Sequence, residues 1–300
     1  MTDLKYHAPV MCREVTEHLK LAKGATVLDC TVGTGGHAEA LLKEIGSGGR
    51  LIGLDQDEEA LALARDRLKI YSNCILIQAN FRDIDAVLDK LKIKRVDGVV
   101  FDLGVSSLQL DSATRGFSIR IDAPLDMRMD KRLKASAFDL VNFFPQEGLS
   151  DILRKYGQER WCNRIARGIV RERKKSKIMT TRELAELVRR LVPRRYSRIH
   201  PATRTFQALR IAVNDELGAL REGLNKCINY LKGGARLCVI SFHSLEDGIV
   251  KRQFRKFAEE GNFRIITKKP LTPSRREIEV NPRARSAKLR VLEKTEKKER

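Results

Sequence analysis

Apolar residues in the first hundred positions occur in short runs separated by longer amphipathic stretches. The stretches Glu58–Leu68 and Ile84–Leu91 carry apolar residues at helical spacing. Strands that alternate with helices predict a parallel sheet with right-handed crossovers, and therefore an α/β fold. The runs that predict strands are Thr26–Cys30, Leu51–Asp55, Cys74–Gln78 and Val96–Asp102.

The alternation stops near position 136, and only helical spacing follows as far as Arg210. Apolar residues recur three and four positions apart between Leu184 and Leu191. Thr180 precedes this stretch, and Glu183 lies three residues after Thr180. This spacing predicts a capping box at a helix start. We therefore predict an all-helical domain over 136–210, inserted into a domain formed by 1–135 and 211–300.

The strand pattern returns after the predicted insert. Residues Asp215–Leu231 predict a helix that stops at Gly233-Gly234, and Ala235–Ile240 predicts the fifth strand. Phe263–Thr267 and Lys288–Leu292 predict a closing antiparallel hairpin. This order places the insert between the fourth and fifth strands.

A glycine-rich turn follows the first predicted strand. Asp29 ends that strand, and the turn reads Gly33-Thr-Gly35-Gly36-His37 before helical spacing begins. In an open parallel sheet, such a turn binds a nucleotide-like ligand beyond the carboxyl ends of the strands. Asp55, at the end of the second strand, suits the two hydroxyls of a ribose. Asp102 ends the fourth strand, so we expect the three acids to share one crevice.

Two cofactors suit this crevice. The turn matches the G-x-G-x-x-A pattern of nicotinamide and flavin dinucleotide sites. Asp29 opposes that interpretation, because a carboxylate there repels a pyrophosphate but attracts the sulfonium and amino group of S-adenosylmethionine (SAM). An ordinary βα turn that uses its glycines only for geometry is a third interpretation. We expect SAM.

The charge is strongly positive and unevenly distributed. The chain has 59 Lys and Arg against 39 Asp and Glu, a formal charge of +20. Between Asp151 and Arg210 the counts are 18 and 5, and from Arg264 onward they are 13 and 5. This excess predicts salt-sensitive binding to a phosphate backbone. A solvated face is the alternative for a single charge run such as Lys294–Arg300.

Cysteine and histidine spacing indicates neither a metal site nor a disulfide framework. The six cysteines form no C-x-x-C pair, and the five histidines show no metal-ligand spacing. We expect no metal. No apolar run reaches the roughly 20 residues that cross a bilayer, and the first residues lack a signal-peptide core. These features predict a cytoplasmic protein without membrane contact and leave its oligomeric state open, a homodimer included.

Eight motifs occur in a fixed order along the chain: His7–Met11, Asp29–His37, Asp102–Ser107, Arg115–Ser118, Pro124–Asp130, His200–Asn214, Ser241–Asp247 and Asn281–Arg290. Together they resemble the motifs of the bacterial 16S ribosomal RNA cytosine-N4 methyltransferases, the MraW/RsmH family. The resemblance implies a class I SAM-dependent methyltransferase fold, with a Rossmann-like, mostly parallel sheet and an inserted helical domain. It also implies methylation of a decoding-centre cytosine in 16S rRNA within the small ribosomal subunit.

The resemblance also implies roles for individual residues. Asp126, Arg128 and His243 lie in its motifs and are the candidates for substrate binding. The chain departs from the family pattern at Leu108, Ala123, Gln158 and Gly168. The family's SAM contacts fall on Gly35, Gly36, His37, Asp55, Phe81, Asp102 and Gln109.

Methylation of an exocyclic amine needs an acceptor for the amine proton. Asp102 is the candidate catalytic residue, and His243 and Asp126 are the alternatives. The Asn/Asp/Ser-Pro-Pro-aromatic motif of amino methyltransferases is absent, and Asp102-Leu-Gly-Val stands in its place. No cysteine lies within Asp102–Asp130 to attack C6 of the base, which disfavours C5 methylation. Ribose 2′-O methylation stays open.

Aromatic residues in and around the insert are candidates for stacking an unpaired base, with core packing as the alternative for each. They are Phe117, Phe143, Phe144, Trp161 and Phe206. A nicotinamide-dependent oxidoreductase would explain only the turn and Asp55, and a non-catalytic ribosome-assembly factor only the charge. A SAM-dependent RNA methyltransferase explains the turn, the acids, the insert and the charge together.

Overall fold

The computed structural model describes residues 9–193 and 200–296. His7 and Ala8 of the first motif therefore lie outside the described residues. The chain forms two compact units. The first, here called the sheet unit, is Met1–Gly104 with Leu217–Arg300, and the second, the helical unit, is Val105–Glu216. The predicted insert, 136–210, lies inside the helical unit.

The sheet unit is built on one seven-stranded sheet. Its strands are β1 (Thr26–Asp29), β2 (Arg50–Asp55), β3 (Cys74–Gln78), β4 (Val96–Asp102), β5 (Leu231–Ser241), β6 (Phe263–Ile265) and β7 (Lys288–Lys294). The order across the sheet is β3-β2-β1-β4-β5-β7-β6. β1 to β5 run parallel to one another, and β7 is antiparallel to both β5 and β6. The predicted parallel sheet with a closing antiparallel hairpin is confirmed.

Thirteen helices are present in the described residues. Before the helical unit come α1 (Cys12–Leu19), α2 (Gly36–Ile45), α3 (Glu58–Leu68) and α4 (Ile84–Lys90). The next six are α5 (Ser107–Asp111), α6 (Ala137–Phe143), α7 (Gln146–Gly157), α8 (Cys162–Arg173), α9 (Thr181–Leu191) and α10 (Thr203–Asn214). The last three are α11 (Glu216–Cys227), α12 (Ser244–Glu259) and α13 (Arg275–Val280). Helices α5 to α10 all lie between β4 and β5 in the chain.

The central strands are buried on both faces, which explains their continuous apolar sequence. Val27 and Leu28 are adjacent residues of β1 whose side chains point to opposite faces, and both are fully buried. Leu51 and Ile52 repeat the pattern in β2. In β1 and β2 the polar residues stand only at the strand ends, where Asp29 and Asp55 lie.

The fifth strand begins earlier than the sequence pattern indicates. α11 ends at Cys227, a short 3-10 turn follows, and β5 starts at Leu231. The predicted stop at Gly233-Gly234 is therefore wrong, because both glycines lie inside β5. Val96 of β4 pairs with Leu231 whereas Gly98 pairs with Arg236, so the extra residues form a bulge. Gly234 has φ 76°, a conformation that favours glycine.

The helical unit has its own apolar core. The start of α9 matches the predicted capping box: the Thr180 hydroxyl accepts the N–H of Glu183, and the Glu183 carboxylate accepts the N–H of Thr180. Leu184 and Val188 of α9 are buried in that core. Within the described residues, none of the helices combines the length and apolar character needed to cross a bilayer.

Candidate active site

The glycine turn is tied to the end of β2 by Asp55. Gly33 and Gly35 have φ 53° and 87°, in the left-handed region that favours glycine. Oδ2 of Asp55 accepts the N–H of Gly33 at 2.8 Å, and Oδ1 accepts the N–H of Asp57 at 2.9 Å. Each carboxylate oxygen has two lone pairs, so both can also accept a ligand hydroxyl.

Asp29, at the end of β1, is a buried carboxylate with one unused oxygen. Oδ1 accepts the N–H of Thr31 at 3.1 Å, whereas Oδ2 has no hydrogen-bond partner among the described residues. Burial raises the pKa of Asp29 to about 7, with Asp102 and Asp55 adding to the rise and His37 opposing it. Burial likewise raises the pKa of Asp55 to about 6 despite its backbone hydrogen bonds. A positive charge bound beside Asp29 and Asp55 would therefore stabilise the ionised form of both carboxylates.

His37 and Asp102 form a close pair at the same edge of the sheet. Nε2 of His37 lies 3.4 Å from Oδ2 of Asp102. Burial alone would lower the pKa of His37, but the Asp102 carboxylate beside the ring, together with Cys12, outweighs it and raises the pKa to about 10. The imidazole is therefore protonated at neutral pH.

The other side of Asp102 is fixed through the backbone. Its N–H donates to Oγ1 of Thr31 at 2.6 Å, which joins the end of β4 to the turn after β1. Oδ1 of Asp102 has no hydrogen-bond partner among the described residues. Sequence reasoning missed Thr31 and Cys12 as supports of this site, because neither residue type signals such a role in the sequence.

Phe81 lies in a short 3-10 turn after β3 and is half-buried. Its ring packs edge-to-face on Phe101 of β4, with centroids 5.4 Å apart. Gly223 of α11 approaches so closely that a Cβ there would lie 3.0 Å from the Phe81 ring. The ring is therefore held in place at the end of β3.

Gln109 belongs to the helical unit, where it helps to start α5. Its side-chain Oε1 accepts the backbone N–H of Ser106 at 3.0 Å. The backbone N–H of Gln109 in turn donates to Oγ of Ser106 at 3.2 Å. The side chain is buried. This capping box explains why a glutamine occupies the position independently of any ligand contact.

Asp126 and Arg128 form a two-pronged ion pair, also in the helical unit. Nε and Nη2 of Arg128 donate to Oδ1 and Oδ2 of Asp126 at 2.6 and 3.0 Å. Burial would raise the pKa of Asp126, but the hydrogen bonds and charge of Arg128 outweigh it and lower that pKa. Nη1 of Arg128 donates to the carbonyl of Leu133 at 2.8 Å. The pair is therefore rigid and nearly neutral overall.

A network of buried polar groups holds the segment 124–130 that carries this pair. Asn214 accepts the N–H of Met129 at 2.7 Å and donates to the carbonyl of Met127 at 2.8 Å. Nη2 of the buried Arg115 donates to the carbonyls of Arg128 and Met129. Met127 itself has φ 59°. Sequence reasoning missed Asn214 as a support of this segment, because its two partners lie more than 80 residues away along the chain.

His243 caps α12 in the sheet unit. Its Nδ1 accepts the N–H of Glu246 at 3.4 Å, and the Glu246 carboxylate accepts the N–H groups of Phe242 and His243. Nε2 of His243 lies 3.1 Å from Oε1 of Glu246. The residue therefore has a structural role that accounts for its position before this helix.

The chain is similar to known proteins over nearly its whole length. The family model described as the MraW methylase family matches residues 5–295. The ribosomal RNA small subunit methyltransferase H of Halothermothrix orenii is 45% identical over 305 residues, covering 96% of this chain and 98% of that protein. The protein of the same name from Sulfurihydrogenibium is 49% identical over 288 residues, covering 95% and 98%.

A solved structure, that of a SAM-dependent O-methyltransferase from Thermotoga maritima, is similar with a TM-score of 0.46 and 11% identity, covering 99% of this chain and 70% of that one. The family match spans nearly the whole chain, and the relatives are matched over nearly their full length. The chain therefore belongs to the MraW methylase family and is a SAM-dependent methyltransferase.

Proposed function

We propose that the protein methylates the N4 amine of a cytosine in the decoding centre of 16S rRNA. The observation that carries this proposal is the group of Asp29, Asp55 and Asp102 around the glycine turn, with His37 paired to Asp102. The name of the relatives supports rRNA of the small subunit as the substrate. A protein acting on that substrate works in the cytoplasm, where bacterial ribosomes are assembled.

SAM, when bound, supplies an electrophilic methyl group on a positively charged sulfur. We propose that Gly35, Gly36, His37, Asp55, Phe81, Asp102 and Gln109 hold it. Asp55 presents lone pairs to ribose hydroxyls while it keeps the turn in place. The unused oxygen of Asp29 stabilises positive charge in the pocket.

We propose Asp102 as the proton acceptor. Its Oδ2 faces the protonated His37, whereas its Oδ1 has no hydrogen-bond partner among the described residues and can accept a hydrogen of the cytosine amine. The alternative acceptors, Asp126 and His243, already use their polar atoms in contacts within the protein. Both oxygens of Asp126 accept from Arg128, and His243 caps α12 with Glu246.

Asp126, Arg128 and His243 are proposed to bind the substrate. The Asp126–Arg128 pair presents both acceptors and donors in a fixed arrangement, which suits the polar edge of a base. We further propose that the helical unit recognises rRNA. Exposed arginines and lysines line one side of α8 and its end, at Arg164, Arg167, Arg171 and Lys174.

The test is methyl transfer in vitro to small ribosomal subunits, and separately to naked 16S rRNA, from a strain that lacks the gene. Methyl-labelled SAM is the donor, and digested nucleosides are fragmented in a mass spectrometer. We expect labelled methylcytidine whose released base carries the methyl group. A methyl group on the sugar would indicate ribose 2′-O methylation and overturn the proposed reaction. SAM binding without transfer to either substrate would overturn the proposed substrate.

A further inference from the structure

The described part of the helical unit exposes three large apolar side chains in one region. Phe143 is 58% exposed, Phe144 is 40% exposed and Met179 is 52% exposed. Phe117 and Phe206, two other candidates for base stacking, are buried in the core of the unit. Exposed rings next to each other are unusual in a folded unit and mark an interaction surface.

Two side chains fix the backbone beneath these rings. Nδ2 of Asn142 donates to the carbonyl of Ile178 at 2.9 Å, and its Oδ1 accepts the N–H of Ile178 at 2.9 Å. Arg173 donates to the carbonyls of Val141 and Phe144 at 2.8 and 2.7 Å, which satisfies the end of α6. The rings are therefore presented by a rigid support, at little cost in conformational entropy on binding.

Positive charge borders the same rings. Nζ of Lys177 lies 5.2 Å from the ring centroid of Phe143 and 5.8 Å from that of Phe138. The Phe138 and Phe143 rings meet edge-to-face, with centroids 5.9 Å apart. From Arg171 to Lys177 the chain has five basic residues and a single acid, Glu172. Aromatic faces next to cations are the combination that binds unpaired nucleic acid.

We infer that Phe143 and Phe144 stack on unpaired bases of the RNA substrate while Lys177 and its basic neighbours bind the adjacent phosphates. This inference rests on the proposed function, because it names the surface of the helical unit that binds the RNA. Every base has a π-face, so the surface holds single-stranded RNA without reading its sequence. A duplex hides those faces and binds there only through its phosphates. The density of positive charge disfavours a protein partner, since the centre of a protein interface is depleted in charge.

The test compares binding of a short labelled single-stranded RNA with binding of a duplex of the same sequence, by fluorescence anisotropy over a range of salt concentrations. We expect the double variant Phe143→Ala with Phe144→Ala to bind the single strand at least about fivefold more weakly. Its salt dependence should match that of the wild type, because stacking releases no counterions. The double variant Phe143→Trp with Phe144→Trp should retain the affinity.

Removing positive charge from the surface, unlike removing its rings, should change the salt dependence of RNA binding. Lys174→Gln with Lys177→Gln should reduce the salt slope of binding to both RNAs. Ile70→Ala is the matched control, because Ile70 is 77% exposed and lies in the sheet unit. This control should bind RNA like the wild type.

Three results would overturn the inference. The first is an alanine variant whose affinity for the single strand equals that of the wild type. The second is an equal loss of affinity for the single strand and for the duplex. The third is an alanine variant that keeps its RNA affinity but changes its oligomeric state in sedimentation. SAM affinity, measured by calorimetry on each variant, reports whether the fold and cofactor site are intact. Wild-type protein that binds RNA through these rings but transfers no methyl group would contradict the proposed function and leave this inference standing.

Discussion

Nε2 of His37 lies 3.4 Å from Oδ2 of Asp102, and this contact makes the two oxygens of that carboxylate unequal. Oδ2 faces a protonated imidazole at the start of α2. Oδ1 has no hydrogen-bond partner among the described residues. The pair thus anchors one oxygen of the carboxylate and leaves the other, a buried oxygen, without a partner in the described part of the chain, which is why we propose Asp102 as the acceptor of the amine proton.

Asp102→Asn should lower the single-turnover rate of methyl transfer by about 10²-fold or more at saturating SAM, because an amide cannot accept the proton. Rapid-quench measurements with excess enzyme give this rate. Saturation with SAM separates the chemical step from cofactor binding. A normal rate together with weaker SAM binding would show that Asp102 only holds the cofactor.

Asp55→Ala should raise the dissociation constant of SAM about tenfold or more, since hydrogen bonds to charged groups contribute roughly 1.5–3 kcal/mol. The substitution also releases the N–H of Gly33, so the turn loses its support. Titration calorimetry measures the affinity. Asp66→Ala, at an exposed position of α3, is the control and should leave it unchanged. Equal affinities for the two variants would remove Asp55 from the site.

Asp29→Asn should stabilise the protein without its cofactor at pH 8, on the order of 2 kcal/mol in free energy of unfolding. The folded-state pKa of Asp29, about 7, lies above its ordinary value of 3.8. The folded state therefore keeps a proton that the unfolded chain releases, and stability falls as the pH rises from about 4 to 7. Urea unfolding across this range should show a flatter decline for the variant; a decline as steep as that of the wild type would contradict the assignment.

His37 adds a second decline at higher pH. Its folded-state pKa of about 10 lies above the ordinary 6.5, so its ion pair contributes fully below about pH 6.5 and is lost as the pH approaches 10. His37→Gln should remove most of the pH dependence between 7 and 10. Unfolding curves at several pH values within that window provide the measurement, and the same slope in both proteins would show that the imidazole is not protonated.

Replacing Arg164, Arg167 and Arg171 with serine should weaken RNA binding and reduce the slope of log affinity against log salt by about 0.7 for each phosphate that is no longer neutralised. The three side chains are exposed on α8, while Ile165 and Ile169 face the core. SAM affinity should not change. An unaltered slope would mean that α8 does not bind the RNA backbone.

Asn214→Ala should destabilise the helical unit by about 2 kcal/mol or more, because the N–H of Met129 and the carbonyl of Met127 lose their buried partner. Thermal unfolding measures the destabilisation. Asn225→Ala, at an exposed position of α11, is the control. If both variants unfold at the same temperature, Asn214 does not hold the 124–130 segment.

Most strands and helices were predictable because each leaves a local signal. Buried parallel strands read as apolar runs, and the Thr180–Glu183 capping box marks a helix start. The Gly233-Gly234 bulge was not predictable, since two glycines after a helical stretch indicate a stop just as well. Proximity across the chain leaves no local signal either. His37 and Asp102 are distant in sequence, and the exposure of Phe143 against the burial of Phe206 depends on tertiary packing alone.

The position of the helical unit between β4 and β5 has a consequence for synthesis on the ribosome. β4 pairs with β1 as soon as both have emerged, but its other edge must wait for β5, which is translated only after the entire helical unit. The apolar residues of β4 are fully buried in the folded protein. The edge of β4 that later pairs with β5 is therefore prone to aggregate while it is unpaired. At roughly 5–20 residues per second, the delay between the end of β4 and the start of β5 lasts about 6 to 25 seconds. During this delay we expect the helices, whose contacts are local, to fold before the sheet is complete.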